Sequence, residues 1–142
     1  MRAVHATHEG GDRFRLSLRT HELRVDQPRD EGGTDTAPTP VELFVASIVA
    51  CQGFFARRFL ARHGIADGEL ELDAEYELAA DPSRVASVHT RLHLPRVLPA
   101  GVEAGLRRAV ESCTVHHSIR SSPSIDLSLA TPAELSEPVG AL

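Results

Sequence analysis

Apolar and polar residues alternate near the start of the chain, which is the pattern of a β-strand with one buried face. Between Arg13 and Arg19 every second residue is apolar, and the residues between them are arginines and a serine. The alternation resumes at Leu23 and Val25, after a turn near Thr20. These positions predict an N-terminal β-meander.

A second alternating region predicts an antiparallel hairpin. In Glu69–Leu78 one face is acidic and the other is apolar or small, and the turn signal Asp81-Pro82-Ser83 follows. The alternation then continues through Val88–Leu94. The acidic row is expected to face the basic residues of the second strand, and we interpret it as a solvated, partly paired surface. Those basic residues are His89, Arg91 and His93.

A long helix is predicted between the two β regions. Thr39 is a suitable N-cap, Pro40 suits the first helical position, and Glu42 completes a capping box. The pattern continues for about 24 residues to His63, and Gly64 supplies the stop. The first half of this helix is apolar on all sides. One sheet of a small domain covers only one side, so a second subunit is expected to cover the other.

The C-terminal part predicts a helix and a last strand. After Pro99 an apolar stripe runs from Val102 to Cys113, and Ile125–Leu129 alternates as a strand. Residues 131–142 are interpreted as a tail. Antiparallel strands with intervening helices and no β-α-β series indicate an α+β fold, and the length predicts a single domain over residues 1–142.

Composition narrows the class of protein. The net charge is −5 and 42% of the residues are hydrophobic, which argues against disorder and against a nucleic-acid-binding surface. The N-terminus lacks an apolar signal core. The longest apolar run, Leu43–Cys51, is far shorter than the ~20 residues of a membrane span. We expect a soluble cytoplasmic protein that binds neither nucleic acid nor membrane.

Cys51 and Cys113 are the two cysteines, and they lie 62 positions apart. A buried cysteine often acts only as a small apolar residue. Two thiols brought together beside an arginine have redox chemistry open to them: one thiolate reduces a peroxide and becomes a sulfenic acid, and the other condenses with it to a disulfide.

The same region allows other interpretations. Cys51, Cys113, His116 and His117 form a weak candidate set of zinc ligands, and a cysteine–histidine pair for acyl transfer uses the same residues. Glu42 precedes Cys51 by nine positions, so it lies on the opposite side of the helix about 13 Å along the axis. Capping is therefore the favoured role for Glu42.

Several segments resemble the signature of the OsmC/Ohr family of thiol peroxidases. Gly32–Phe44 reads Gly-Gly-Thr-Asp-Thr-Ala-Pro-Thr-Pro-Val-Glu-Leu-Phe and leads to Ala50-Cys51. His21, Asp26–Pro28 and Cys113–Ser118 fit the family as well. Both cysteines occur in the family order, and the resemblance extends over residues 3–130.

This resemblance implies strands wrapped around a long central helix in an intertwined homodimer, with two active sites at the interface. It implies reduction of organic hydroperoxides in oxidative stress defence, with Cys51 as nucleophile and Cys113 as resolving residue. A dithiol, of the lipoyl type in the hydroperoxide-resistance branch, would reduce the disulfide, and no metal or organic cofactor is expected. The alternative is a non-catalytic member of the family that binds an apolar ligand at the dimer interface.

The chain departs from the hydroperoxide-resistance branch at the positions of its activating arginine and glutamate, and Thr114 stands where a proline often follows the resolving cysteine. The N-terminal Gly-Gly-Arg of that branch reads Gly-Gly-Asp-Arg here, so that Arg13 matches with a shift of one residue, and Arg15 and Arg19 are possible substitutes. Val41 stands where that branch has a glutamate, and Glu42 follows it. The resemblance therefore implies the broader OsmC-like group, with Arg13 and Glu42 as candidate activating residues.

Overall fold

The alternating N-terminal segment forms a three-stranded antiparallel sheet in the computed structural model, which describes residues 2–65, 70–94 and 96–130. Its strands, in sheet order, are β1 (His5–His8), β2 (Phe14–Leu18) and β3 (His21–Val25). The predicted meander is confirmed, and β1 is a strand that the alternation did not predict.

The loop after β3 is organised around the carboxylate of Asp26, which is only 1% exposed. It accepts hydrogen bonds from the hydroxyl and the backbone N–H of both Thr34 and Thr36, and from the backbone N–H of Gln27. The hydroxyl bonds are short, 2.6 Å from Thr34 and 2.8 Å from Thr36. Gly33 lies against the backbone of Gln27, where a Cβ atom would overlap the carbonyl group. The loop therefore holds a fixed shape before the long helix.

The central helix α1 is Pro40–Arg62, and its capping box is present as predicted. The Thr39 hydroxyl accepts from the backbone N–H of Glu42 at 3.1 Å, and the Glu42 carboxylate accepts from the backbone N–H of Thr39 at 2.6 Å. Gly64 adopts a left-handed conformation with φ +65°, which ends the helix.

The predicted hairpin is formed by β4 (Glu71–Ala80) and β5 (Ser83–His93). The acidic row faces the basic residues as expected, and the imidazole of His93 lies 2.6 Å from the carboxylate of Asp73. In the register of the two strands the acidic residues pair with basic ones at three places: Glu71 with His93, Asp73 with Arg91, and Glu75 with His89.

Two shorter helices complete the described fold, α2 (Val102–Glu111) and α3 (Thr114–Arg120). The core lies between α1 and α2, where Leu60 and Leu106 are buried together with Ala56. A Cβ atom on Gly105 would lie 2.9 Å from the ring of Phe59, so the two helices pack closely at this glycine. The fold is α+β with antiparallel sheets, as predicted.

The predicted last strand is wrong. The segment of residues 121–130 contains neither helix nor strand, and the side chains of Ile125, Leu127 and Leu129 are 89–90% exposed. Alternation provides a strand with two faces, but a strand also needs a neighbouring edge for its backbone hydrogen bonds, and this segment pairs with no described strand. The tail predicted over residues 131–142 lies outside the described residues.

Among the described residues α1 is the one helix long and apolar enough to cross a membrane, with a mean hydropathy of 1.4 over 18 residues. The core helix of a water-soluble protein satisfies the same criterion, so length and composition alone do not indicate a membrane span. The side chains of Phe44 and Phe54 on this helix are 41% and 48% exposed. One side of α1 therefore remains uncovered within a single chain.

Candidate active site

The fold brings the two cysteines together. Cys51 lies in the middle of α1 and is partly exposed, whereas Cys113 is fully buried. Cys113 is the N-cap of α3, and its Sγ accepts a hydrogen bond of 3.3 Å from the backbone N–H of His116. The sequence pattern placed Cys113 at the end of the preceding helix, whereas the structure makes it the N-cap of the next one. This turn directs its sulfur toward α1.

The thiol of Cys51 is close enough to that of Cys113 to influence its ionisation. Burial raises the pKa of Cys113 above the ordinary value of a thiol, the N–H of His116 opposes the rise, and the hydrogen bond and charge of Cys51 add to it. The net direction is upward, so Cys113 stays protonated at neutral pH. The site therefore places the partly exposed sulfur of Cys51 beside the buried, protonated thiol of Cys113.

Arg13 is not brought to the cysteines within the chain. It lies in the turn between β1 and β2, where its guanidinium donates to the backbone carbonyls of Glu9 at 3.2 Å and Gly10 at 3.4 Å. Arg15, one of its possible substitutes, pairs with the carboxylates of Glu9 and Glu22, both at 3.0 Å. These contacts hold both guanidinium groups in the N-terminal sheet.

Glu42 is occupied at the start of α1. Its carboxylate belongs to the capping box with Thr39, which is the role favoured from the sequence. Glu42 lies nine helical positions before Cys51, or about 13 Å along the axis. Within the chain Glu42 therefore stabilises the helix and does not contact the thiol.

The zinc alternative lacks its set of ligands. In the part of the chain that the structure describes, no three His, Cys, Asp or Glu side chains are grouped closely enough to hold a metal ion. His117 is exposed on α3, and His116 contacts Cys113 through its backbone N–H. Acyl transfer lacks an orienting partner as well, because Nδ1 of His116 has no hydrogen bond to any described residue.

Two cavities lie beside this region. The larger, about 460 Å³, is bounded by the β4–β5 hairpin and α2, and the smaller, about 270 Å³, lies between α1, β5 and α3. Both are lined by Gln52, Thr90 and His116. Sequence reasoning considered His116 only as a metal ligand or base and missed Gln52. The available signal was a lone amide in the otherwise apolar middle of α1, directly after Cys51.

The model of the OsmC-like protein family matches residues 33–128. The chain belongs to the OsmC-like family. The match includes the loop around Gly33, the whole of α1 and both cysteines, and it confirms the resemblance noted from the sequence. No curated protein matches the chain.

Solved structures share the OsmC-like fold. An osmotic stress induced and detoxification response protein from Psychrobacter arcticus has a TM-score of 0.77 at 22% identity, covering 83% of this chain and 88% of its own. An organic hydroperoxide resistance protein from Legionella pneumophila has a TM-score of 0.62 at 24% identity, covering 84% and 90%. One from Vibrio cholerae, with captopril bound in one of its active sites, has a TM-score of 0.63 at 20% identity, covering 86% and 87%. At these identities the likeness shows the fold alone.

Proposed function

We propose that this OsmC-like protein is a homodimeric cysteine-based peroxidase that reduces organic hydroperoxides to alcohols. The observation that carries the proposal is the contact between Cys51 and Cys113, which are remote in sequence and meet at α3. Membership of the family, together with neighbours described as organic hydroperoxide resistance proteins, supports a role connected with peroxides.

The chemistry follows from the different surroundings of the two sulfurs. The Cys51 thiolate attacks the terminal oxygen of the hydroperoxide, the O–O bond breaks, and the alkoxide leaves and takes up a proton as the alcohol. Cys51 is then a sulfenic acid. The Cys113 sulfur displaces its hydroxyl group as water and forms the disulfide. An external dithiol, such as a lipoyl group, supplies two electrons and two protons and so restores both thiols. In a reducing cytoplasm the two cysteines would then remain thiols until the next peroxide arrives.

The homodimer is proposed from surface that one chain leaves uncovered. On α1 the side chains of Phe44 and Phe54 are 41% and 48% exposed. Large apolar side chains left exposed on one face of a helix are typical of a surface that another subunit covers. A second copy would cover this face, and sedimentation at micromolar concentration should give twice the mass of the chain.

Arg13 enters the proposal as the cation that stabilises the Cys51 thiolate from the other subunit. Its support is the family resemblance, which implies an activating arginine near this position and active sites at the dimer interface. Within its own chain the guanidinium of Arg13 bonds to the carbonyls of Glu9 and Gly10. Glu42 enters as a candidate that orients this arginine from the start of α1. Both roles depend on the dimer.

The deciding experiment is consumption of cumene hydroperoxide with dihydrolipoamide as the reductant. Wild-type protein should turn over, and Cys51→Ser should abolish turnover, because it removes the sulfur that accepts the oxygen. Mass spectrometry after one equivalent of peroxide should show a bond between Cys51 and Cys113 within one chain. Equal, low activity of wild type and Cys51→Ser would refute the peroxidase and favour the alternative, a non-catalytic protein that binds an apolar ligand.

A further inference from the structure

The two cavities beside the cysteines meet at a small polar centre, which we define as Gln52, Thr90 and His116. These three residues line both cavities. Gln52 comes from α1, Thr90 from β5 and His116 from α3. The polar centre is therefore assembled from three elements and not from one local motif.

Two atoms of the polar centre are buried without a hydrogen bond from any described residue, Oε1 of Gln52 and Nδ1 of His116. Buried polar atoms are nearly always paired, because an unpaired one has lost its water without compensation. Both residues line the two cavities, so a small reorientation of either side chain would let a group bound there supply the missing partner.

The walls on either side of the polar centre are mainly aliphatic. In the larger cavity they are Leu72, Leu92, Leu94, Leu106 and Val110. In the smaller cavity they are Phe44, Ile48, Val85, Val88 and Ile119. A molecule that fits both cavities would therefore need one central polar group with an apolar arm on each side of it.

The charges around the larger cavity balance. Arg91 and Arg107 line it together with Glu103 and Glu111, and Arg107 pairs with Glu103 at 3.5 Å. The two positive and two negative side chains cancel, so the cavity wall has no net charge that would attract a charged ligand. A neutral ligand fits these surroundings best.

We propose that Gln52 and His116 bind the hydroxyl group of a neutral aliphatic alcohol whose two alkyl arms occupy the two cavities. A hydroxyl group both donates and accepts, so it donates to Oε1 of Gln52 and accepts from the N–H of His116 Nδ1 in the tautomer that carries its proton there. A ketone accepts only and leaves one of the two atoms unpaired. The inference rests on the proposed function only where it identifies this alcohol as the product of hydroperoxide reduction.

The experiment compares three neutral probes with the reduced full-length protein by titration calorimetry: di-n-butylcarbinol, di-n-butyl ketone and n-nonanol. The first two have the same shape and differ in the hydroxyl group, and the third places that group at the end of the chain. We expect di-n-butylcarbinol to bind about tenfold more tightly than the ketone, because the ketone leaves one buried atom unpaired. It should also bind more tightly than n-nonanol.

The variants Gln52→Leu and His116→Phe should each bring the affinity ratio of carbinol to ketone close to one. His117→Phe is the matched control, since His117 is exposed on the same helix, and it should keep the preference. Circular dichroism establishes that each variant is folded. Equal affinities for carbinol and ketone in folded wild-type protein, or no binding of either at millimolar concentration, would overturn the inference.

Cys51→Ser separates this inference from the proposed function. That variant should bind di-n-butylcarbinol with the same preference as wild type, since its hydroxyl partners are unchanged. Preference for the carbinol without peroxidase turnover would refute the peroxidase and leave the alcohol site standing. Turnover in a protein that does not distinguish carbinol from ketone would refute the site alone.

Discussion

The backbone N–H of His116 donates a hydrogen bond of 3.3 Å to Sγ of Cys113. This bond makes the cysteine side chain the cap of α3 and fixes the direction of its sulfur. Burial outweighs the bond and keeps the pKa of Cys113 above the ordinary thiol value. The resolving sulfur is thus held in place as a thiol.

The raised pKa of Cys113 predicts a loss of stability in alkali. Between the ordinary thiol pKa of about 8.5 and the raised value, the folded state binds more protons than the unfolded chain. The free energy of unfolding of the reduced protein should therefore fall as pH rises through this window. Urea titrations from neutral to alkaline pH measure it. Cys113→Ala should have lower stability throughout and a flatter dependence; an equally steep fall in this variant would contradict the assignment.

The lowered pKa of Asp26 predicts that the protein loses stability in acid, which is the opposite pH dependence to that of Cys113. The hydroxyl of Thr34 and then the amide and hydroxyl of Thr36 hold the pKa of Asp26 far below its usual range, against the effect of burial. Stability from this carboxylate is fully present above the unfolded pKa of about 3.9 and is lost as pH falls below it. Asp26→Asn should lower Tm by several degrees at neutral pH and lessen the further loss in acid. Asp35→Asn is the control, because this residue of the same loop is exposed and has φ +56°, which asparagine tolerates.

The close contact of Gly33 with the backbone of Gln27 predicts that a larger residue at this position destabilises the protein. A methyl group there would overlap the carbonyl of Gln27, so Gly33→Ala requires the backbone of the loop to move. We expect a loss of about 3 kcal/mol in the free energy of unfolding. Gly64→Ala is the matched comparison: it meets open space and has only its positive φ to accommodate, which costs about 1 kcal/mol. Equal losses in the two variants would show that the loop adjusts freely.

Glu42 allows capping to be separated from chemistry. Thr39→Ala removes the N-cap side chain and should cost about 1 kcal/mol of stability without a specific loss of turnover. Glu42→Gln retains a side chain able to complete the capping box but lacks the charge. A drop in turnover in Glu42→Gln at unchanged Tm would support an orienting role toward Arg13; unchanged turnover would restrict Glu42 to the cap.

Arg13→Gln tests the cation from the other subunit. It should lower the rate of peroxide consumption about tenfold or more, because the proposed thiolate loses its positive neighbour. Arg15→Gln is the control within the same strand region, since its guanidinium is engaged by Glu9 and Glu22. Equal activities of Arg13→Gln and wild type would remove Arg13 from the mechanism.

Local signals account for what the sequence predicted well. The cap at Thr39 and the register of β4 with β5 depend on residues a few positions apart, so spacing alone reveals them. The contact of Cys51 with Cys113 depends on how α1 packs against α3, which no local pattern encodes. Alternation at Ile125–Leu129 gave a false strand because the pattern describes two faces and not the edge on which a strand must pair.

The unequal accessibility of the two sulfurs has a consequence for how electrons would return to the oxidised protein. Cys113 is fully enclosed, while Cys51 is partly open. An incoming reductant would therefore make its mixed disulfide with Cys51 and expel Cys113 as the leaving group. The reductant would therefore have to be narrow enough for its thiol to reach Cys51 in the middle of α1. Bulky reductants would be excluded by their size.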